Sequence, residues 1–451
     1  MSEQTSKTVA NPKIAVYGLW HLGCVTAASL AGEGFEVYGL DNDRAVIQNL
    51  QAGQPPIFEP GLAELVQQSV QAGHLKFSSD PAEAVAQADL IWVAFDTPVD
   101  EEDRADLDFV RQRLAEIFPY IRPGAVVLIS SQVPVGFTAE IAANWQVADP
   151  QRGLTLAYSP ENLRLGQGLK TFRAEDRIVV GLDKSENYAA SHELLEKVLS
   201  RFCPRLEWMS VKSAEMTKHS LNAFLAVSVA MINEIARICE ETGADAKEVE
   251  RGLKSEGRIG PKAYLGPGGP FAGGTLARDL RFLTALGRQY NQATPILSGA
   301  LESNEIHKGW VQAAAGGVLA GLDAPRVAIL GLTYKPGTDT LRRSEAVSLG
   351  LWLVGQGAKV VFHDPVTVQL PPELVGQFSL TNQLETALAG ADLAVVATGW
   401  PIYRETITPA LLIEKMNRPV VIDQNRFLVA ALGQAEKITY LAVGKPDKKQ
   451  G

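Results

Sequence analysis

The stretch Lys13–Asp41 constrains this chain most. A short β-branched run, Lys13–Tyr17, meets a tight turn, Gly18-Leu-Trp-His-Leu-Gly23, and Cys24–Gly32 follows as an alanine-rich helix. A second strand, Phe35–Leu40, then ends at Asp41. Strand, glycine turn, helix, strand and acid in this order make up a dinucleotide-binding unit, which places its ribose acid roughly 20 residues beyond the glycines. The spacing therefore predicts NAD at the start of that helix, with Gly18, Trp20 and Gly23 at the pyrophosphate and Asp41 on the adenosine ribose. Asp41 also favours NAD over NADP, because a carboxylate repels a 2′-phosphate. The middle position of the fingerprint is usually glycine, so that the backbone can approach the pyrophosphate, and here it is Trp20.

Further apolar runs that end in polar loops extend the pattern. Leu90–Phe95 leads to Asp96-Thr97-Pro98, Ala125–Ser130 to Ser131–Gly136, Leu154–Tyr158 to Pro160-Glu161, and Arg177–Gly181 closes the series. A second alternation begins at Val327–Leu330 and continues through Lys359–Phe362, Leu393–Thr398 and Val420–Ile422. Between the two lies a helical stretch of some thirty residues, Val211–Thr242. The fold expected is α/β: two Rossmann-like parallel-sheet domains joined by a long central helix and a helical dimerisation region. The domains expected are 1–205, which binds the dinucleotide; 206–312, helical, with an active-site loop; and 320–443, a second α/β domain. A flexible tail, 444–451, follows, and the small, glycine-containing stretch Ala313–Leu322 reads as a boundary.

Composition narrows the function. With 451 residues the chain can bury two or three cores, and a net charge of −9 without a lysine or arginine block argues against a nucleic-acid partner. The polar first dozen residues lack the apolar core of a signal peptide. The longest apolar segment, Leu221–Cys239, carries Asn222, Ser228 and Asn233, which suits a helix buried in protein rather than one crossing lipid. Three cysteines, Cys24, Cys203 and Cys239, give no metal-ligand spacing and no disulfide framework, so the expectation is a cytoplasmic protein without metal.

Gly268–Asp279, GGPFAGGTLARD, is a glycine-rich loop ending in polar residues, which reads as a loop that closes over a ligand. Lys218 and Asn222, four apart on the long helix, share a face that could hold a substrate oxygen and a water. On spacing alone, a surface lysine preceding a core helix accounts for them equally well.

In order along the chain, Glu59–Leu62 (EPGL), Thr97-Pro98, Val133-Pro-Val-Gly136, Pro160-Glu161, Asp176-Arg177-Ile178 and Ala214-Glu215 with Lys218 and Asn222 resemble the UDP-glucose/GDP-mannose (nucleotide-sugar 6-) dehydrogenase family. Arg258-Ile-Gly260, Gly273, Asp279, Gly331-Leu332, Lys335-Pro336, Thr338-Asp339 and Arg342 with Ser344 extend the resemblance over nearly the whole chain. It implies an NAD-dependent homodimer acting on the C6 alcohol of a nucleotide sugar, a UDP-sugar being favoured, with no membrane partner. By position, Lys218 and Asn222 would hold the C6 oxyanion, and Asp279 would manage the proton with Lys218. Glu161 would activate the water that cleaves an acyl intermediate. Arg258, from the partner subunit, and Lys335 would face the nucleotide sugar, and Thr97 and Arg342 the cofactor.

In that family a cysteine attacks the intermediate aldehyde, and its place here is taken by Thr275, with Gly274 before it and Gln132 before Val133. A threonine hydroxyl has a far higher pKa than a thiol and no evident base beside it in sequence. The resemblance thus implies an oxidoreductase impaired or altered in the second oxidation. The alternative is a catalytically silent homologue that binds nucleotide sugar and NAD in a regulatory or structural role.

Overall fold

The computed structural model describes residues 11–98, 100, 105–161, 163, 166–173, 176–333, 336, 341, 344–367 and 369–446. The chain divides into two compact units, Met1–Leu221 and Asn222–Gly451.

The first unit is built on an eight-stranded sheet. Its strands are β1 (Lys13–Tyr17), β2 (Glu36–Leu40), β3 (Leu75–Ser78), β4 (Leu90–Val93), β5 (Val126–Ile129), β6 (Thr155–Tyr158), β7 (Ile178–Leu182) and β8 (Leu206–Met209), in the order β3-β2-β1-β4-β5-β6-β7-β8. All neighbours are parallel except β6 and β7, which pair antiparallel. The sheet continues through Leu206–Met209, past the sequence-expected domain end at residue 205. Cores lie on both faces, as a parallel sheet requires: Ile14, Val16, Leu90 and Leu128 pack to one side, and Ala15, Tyr17, Ile91 and Ile129 to the other.

In the second unit β9 (Arg326–Leu330), β10 (Lys359–His363), β11 (Ser379–Thr381), β12 (Leu393–Val396), β13 (Val420–Ile422) and β14 (Thr439–Leu441) form a parallel sheet in the order β11-β10-β9-β12-β13-β14. Among the short strands, β3, β8, β11 and β14 are absent from the sequence reading. Each has three or four residues, too few for period-two alternation to stand out.

The two sheets repeat one design. Gly18 after β1 and Gly331 after β9 both have left-handed backbones, φ 95° and 94°. The next amide donates to the acid that ends the second strand, Leu19 N to Asp41 Oδ2 at 2.7 Å and Leu332 N to Asp364 Oδ2 at 2.8 Å. At the other end of the strands, Lys13 N donates to Asp89 Oδ2 at 2.8 Å and Arg326 N to Asp392 Oδ2 at 2.9 Å. The acids differ in access. Asp41 is partly exposed, whereas Asp364 is fully buried and also accepts from Trp400 Nε1 at 3.3 Å.

Val211–Thr242 is one helix of 32 residues. It is long and apolar enough to cross a bilayer, but Glu215, His219, Asn222 and Asn233 along it are buried with protein partners. The stretch read as a boundary is mostly a helix, Trp310–Leu319, and its Ala315 enters the core of the second sheet. Gly316 and Gly317 misled the reading: both sit on its exposed face, where a Cβ would meet nothing.

Candidate functional site

At the first glycine turn, two of the three fingerprint positions are dictated by packing. A Cβ on Gly18 would lie 2.6 Å from the Phe95 ring, and one on Gly23 would lie 1.7 Å from the Gly18 carbonyl oxygen. Residue 20 is different: Trp20 has φ −92°, outside the left-handed region that favours glycine, and its side chain is 49% exposed. The helix that begins here, His21–Gly32, has no side-chain cap and no acid in its first turn. Its leading amides can therefore meet an anion. Asp41 uses one oxygen on Leu19 N and the other on Asp43 N at 2.9 Å, and each oxygen retains capacity for a ribose hydroxyl. Gly18, Trp20, Gly23 and Asp41 are thus brought together, and the cradle suits a dinucleotide.

Thr97 follows β4 and is buried, its hydroxyl donating to the Gln132 carbonyl oxygen at 2.8 Å. Glu161 follows β6, and its carboxylate accepts from Leu163 N. Lys218 donates from Nζ to the backbone oxygen of Glu161. The geometry thus joins two predicted residues that are far apart in sequence. Trp92 Nε1 donates to Ser130 Oγ at 2.9 Å, and Ser130 Oγ donates to Ser159 O at 2.6 Å, which ties down the end of the strand that carries Glu161.

Lys218 and Asn222 lie one turn apart on the long helix. Asn222 Nδ2 donates to Asp279, which is fully buried in the first turn of the helix Arg278–Gln289. Thr275 precedes it by one turn, exposed within a π-helical turn, Gly273–Ala277. The stretch Gly268–Asp279 is therefore not the free cradle that its composition suggests. Gly268 N donates to Asn233 Oδ1 at 3.0 Å, and the Gly268 carbonyl meets His307 Nε2 at 2.7 Å. Asn304 holds Phe271 at both ends, accepting from its amide at 2.9 Å and donating to its carbonyl at 3.0 Å.

Burial is the main force that pushes the His307 pKa down. Arg237, which donates from Nη1 to its Nδ1 at 3.0 Å, adds to this, and the bond to Gly268 opposes it. His307 is accordingly neutral, with its proton on Nε2.

Arg258 meets none of the other predicted residues among those described: its side chain is 89% exposed and pairs with Glu256 at 3.0 Å. Lys335 and Arg342 lie outside the described residues.

Three further residues do structural work at the site: Glu59 and Glu215, which the sequence shows only as parts of resemblance motifs without a role, and His219, which the sequence reading does not name. Glu59 accepts from Gly166 N, Gly168 N and His21, all within 2.9 Å, and so ties Gly166 and Gly168 to the start of the first helix. Glu215 accepts from Gly136 N at 2.6 Å and Thr138 N at 2.9 Å, capping the helix Phe137–Ala148, with burial raising its pKa. His219 meets the Val133 carbonyl at 2.9 Å. The available signal was a polar residue recurring on one face of an otherwise apolar helix, at 215, 218/219 and 222.

Comparison with known proteins agrees with this geometry. Residues 12–199 match the NAD binding domain of the UDP-glucose/GDP-mannose dehydrogenase family, 212–306 its central domain and 328–430 its UDP binding domain. UDP-glucose 6-dehydrogenase of Rhizobium meliloti is 32% identical over 443 residues, covering 96% of this chain and 100% of that protein. That of Pseudomonas aeruginosa is 31% identical over 447 residues, covering 96% and 98%. A solved UDP-glucose dehydrogenase from Pyrobaculum islandicum superposes with a TM-score of 0.81 at 27% identity, covering 97% of this chain and 99% of its own. The glycine cradle with Asp41, the Asn222–Asp279 pair and three matched domains in order make this chain a member of the UDP-glucose/GDP-mannose dehydrogenase family, with NAD as its cofactor.

Proposed function

We propose that the protein oxidises the C6 alcohol of a UDP-sugar of the UDP-glucose type to the aldehyde, and that acid formation is lost or much reduced. The observation that carries this reading is the buried Asn222–Asp279 pair, retained one turn from a Thr275 that replaces the expected thiol. NAD supplies the hydride acceptor. Asp279 takes the hydroxyl proton, oriented by the Asn222 amide, and Lys218 and Asn222 stabilise the charge that develops on the C6 oxygen. The products of this step are aldehyde, NADH and a proton.

In the second step a nucleophile must add to the aldehyde before another hydride can leave. Thr275 offers a neutral hydroxyl of very high intrinsic pKa. All three cysteines are buried, and burial raises the thiol pKa of Cys24 and Cys239. Glu161, which we assign to activating water for acyl cleavage, then lacks its usual substrate.

We further assign Lys335 and the partner subunit's copy of Arg258 to the nucleotide sugar, and Thr97 and Arg342 to the cofactor. Exposed Phe224, Met231 and Ile238, spaced seven apart on the long helix, support a homodimer seam. A cytoplasmic location agrees with three free cysteines.

The test is NAD reduction with a panel of UDP- and GDP-sugars, the products being identified by mass spectrometry. NADH with an aldehyde or aldehyde-hydrate product is expected. No NADH with any donor, together with calorimetric binding of both ligands, would favour the silent homologue, which Trp20 and Thr275 together support.

A further inference from the structure

Of the three fingerprint positions, Gly18 and Gly23 are fixed by the fold itself, through Phe95 and through the Gly18 carbonyl. Trp20 has a negative φ and a half-exposed side chain, so neither a left-handed backbone nor packing among the described residues demands glycine there. The fingerprint's middle glycine serves the pyrophosphate, which the bare backbone lets approach. Replacing that glycine therefore leaves the fold intact and acts on the ligand alone.

The surroundings reinforce this. His21, next in the chain, is held by Glu59 Oε2 at 2.9 Å, and Glu59 is anchored in turn by Gly166 N and Gly168 N. The residue after Trp20 is thus tied by its side chain to Glu59. Phe58, the neighbour of Glu59, is 85% exposed, so the His21–Glu59 pair is flanked in sequence by two exposed aromatic residues, Trp20 and Phe58. The amides at this helix start have no side-chain cap, so that a pyrophosphate held away from them loses charge-assisted hydrogen bonds.

We propose that Trp20 is an affinity-determining residue of the cofactor site: its side chain holds the dinucleotide's pyrophosphate off the helix start, so that the protein binds NAD weakly while Asp41 still engages the adenosine ribose. The inference rests on NAD binding at the first glycine turn and extends it. It also predicts which part of the ligand is affected. Groups on the pyrophosphate side lose contact, whereas groups recognised by Asp41 do not.

Calorimetric titration of the full chain and of Trp20→Gly with NAD, ADP-ribose and AMP tests this, with Asp41→Ala marking the site and thermal melting reporting the fold. Trp20→Gly should tighten NAD and ADP-ribose by roughly ten-fold or more, the scale of one regained charge-assisted hydrogen bond. AMP, which has no pyrophosphate, should bind the two proteins alike, and Asp41→Ala should weaken all three ligands. Equal or weaker NAD binding by a folded Trp20→Gly overturns the inference alone, as does an equal gain for AMP. Absence of NAD binding by every form overturns it together with the placement of NAD at this turn. If Trp20→Gly does not fold, Trp20→Ala replaces it, with a smaller gain expected and the same outcomes decisive.

Discussion

Asn222 and Asp279, 57 residues apart in the chain, meet through a buried hydrogen bond from the asparagine amide to the carboxylate. The asparagine amide orients the carboxylate, and of the two side chains the carboxylate is the one that can take a proton. Asp279→Asn should therefore lower the rate of NADH formation by roughly 10²–10⁴-fold, the usual worth of a positioned general base. It should leave binding of the sugar nucleotide, measured by calorimetry, within a few-fold of the parent. An Asp279→Asn protein with undiminished kcat would remove this residue from the chemistry.

Asn304 holds Phe271 from both sides, and that pairing keeps the loop Gly268–Asp279 from fraying. Asn304→Asp can still accept from the Phe271 amide, but cannot donate to its carbonyl. Leaving a buried acceptor unpaired costs about 1–3 kcal/mol. The expected result is a lower Tm, with hydrogen exchange faster in this loop and unchanged at the first sheet, Lys13–Met209.

His307 gives the loop a pH dependence. Its pKa is depressed in the folded state by burial above all, so the stability it contributes is complete above the ordinary histidine value of about 6.5. That stability is lost as pH falls through the lower folded value, where protonation would also break the bond from Arg237. His307→Gln does not titrate. The stability advantage of the parent over this variant, from urea melts, should be constant above pH 6.5 and shrink below it. An advantage that grows on acidification would contradict the assignment.

Two glycines separate packing from propensity. Gly23→Ala would drive a Cβ to 1.7 Å from the Gly18 oxygen and should destabilise the first unit by about 1–3 kcal/mol, toward the upper end because the neighbour is backbone. Gly316→Ala, on an exposed helix face with nothing nearby, should stabilise the protein by up to about 1 kcal/mol. Chemical denaturation of the two variants checks the contrast.

How far the sequence could be read depended on whether the cause was local. The strands β1, β2, β4 and β9, the helix Val211–Thr242 and the Gly18–Asp41 unit were legible because apolar runs and turn glycines are local signals. Lys218 and Asn222 were placed on one face by spacing alone. The bonds that give them meaning, to the Glu161 backbone and to Asp279, span 57 residues each, and nothing in the spacing specifies them.

The clamp of Asn233, Asn304 and His307 was illegible for the same reason, and glycine content made the loop read as loose when side chains elsewhere hold it. The two Rossmann-like sheets were legible from their strand alternation, but the matched anchoring of their first turns was not. That anchoring resides in backbone bonds to Asp41 and Asp364, each far from its turn in sequence.

The central claim is that the chain oxidises the alcohol but not the aldehyde. The most direct measurement is the number of NADH formed per UDP-glucose consumed, with products weighed by mass spectrometry, for the parent and for Thr275→Cys. The account predicts one NADH and an aldehyde or its hydrate from the parent, and two NADH with the uronic acid from Thr275→Cys. Two NADH and the acid from the parent would contradict it.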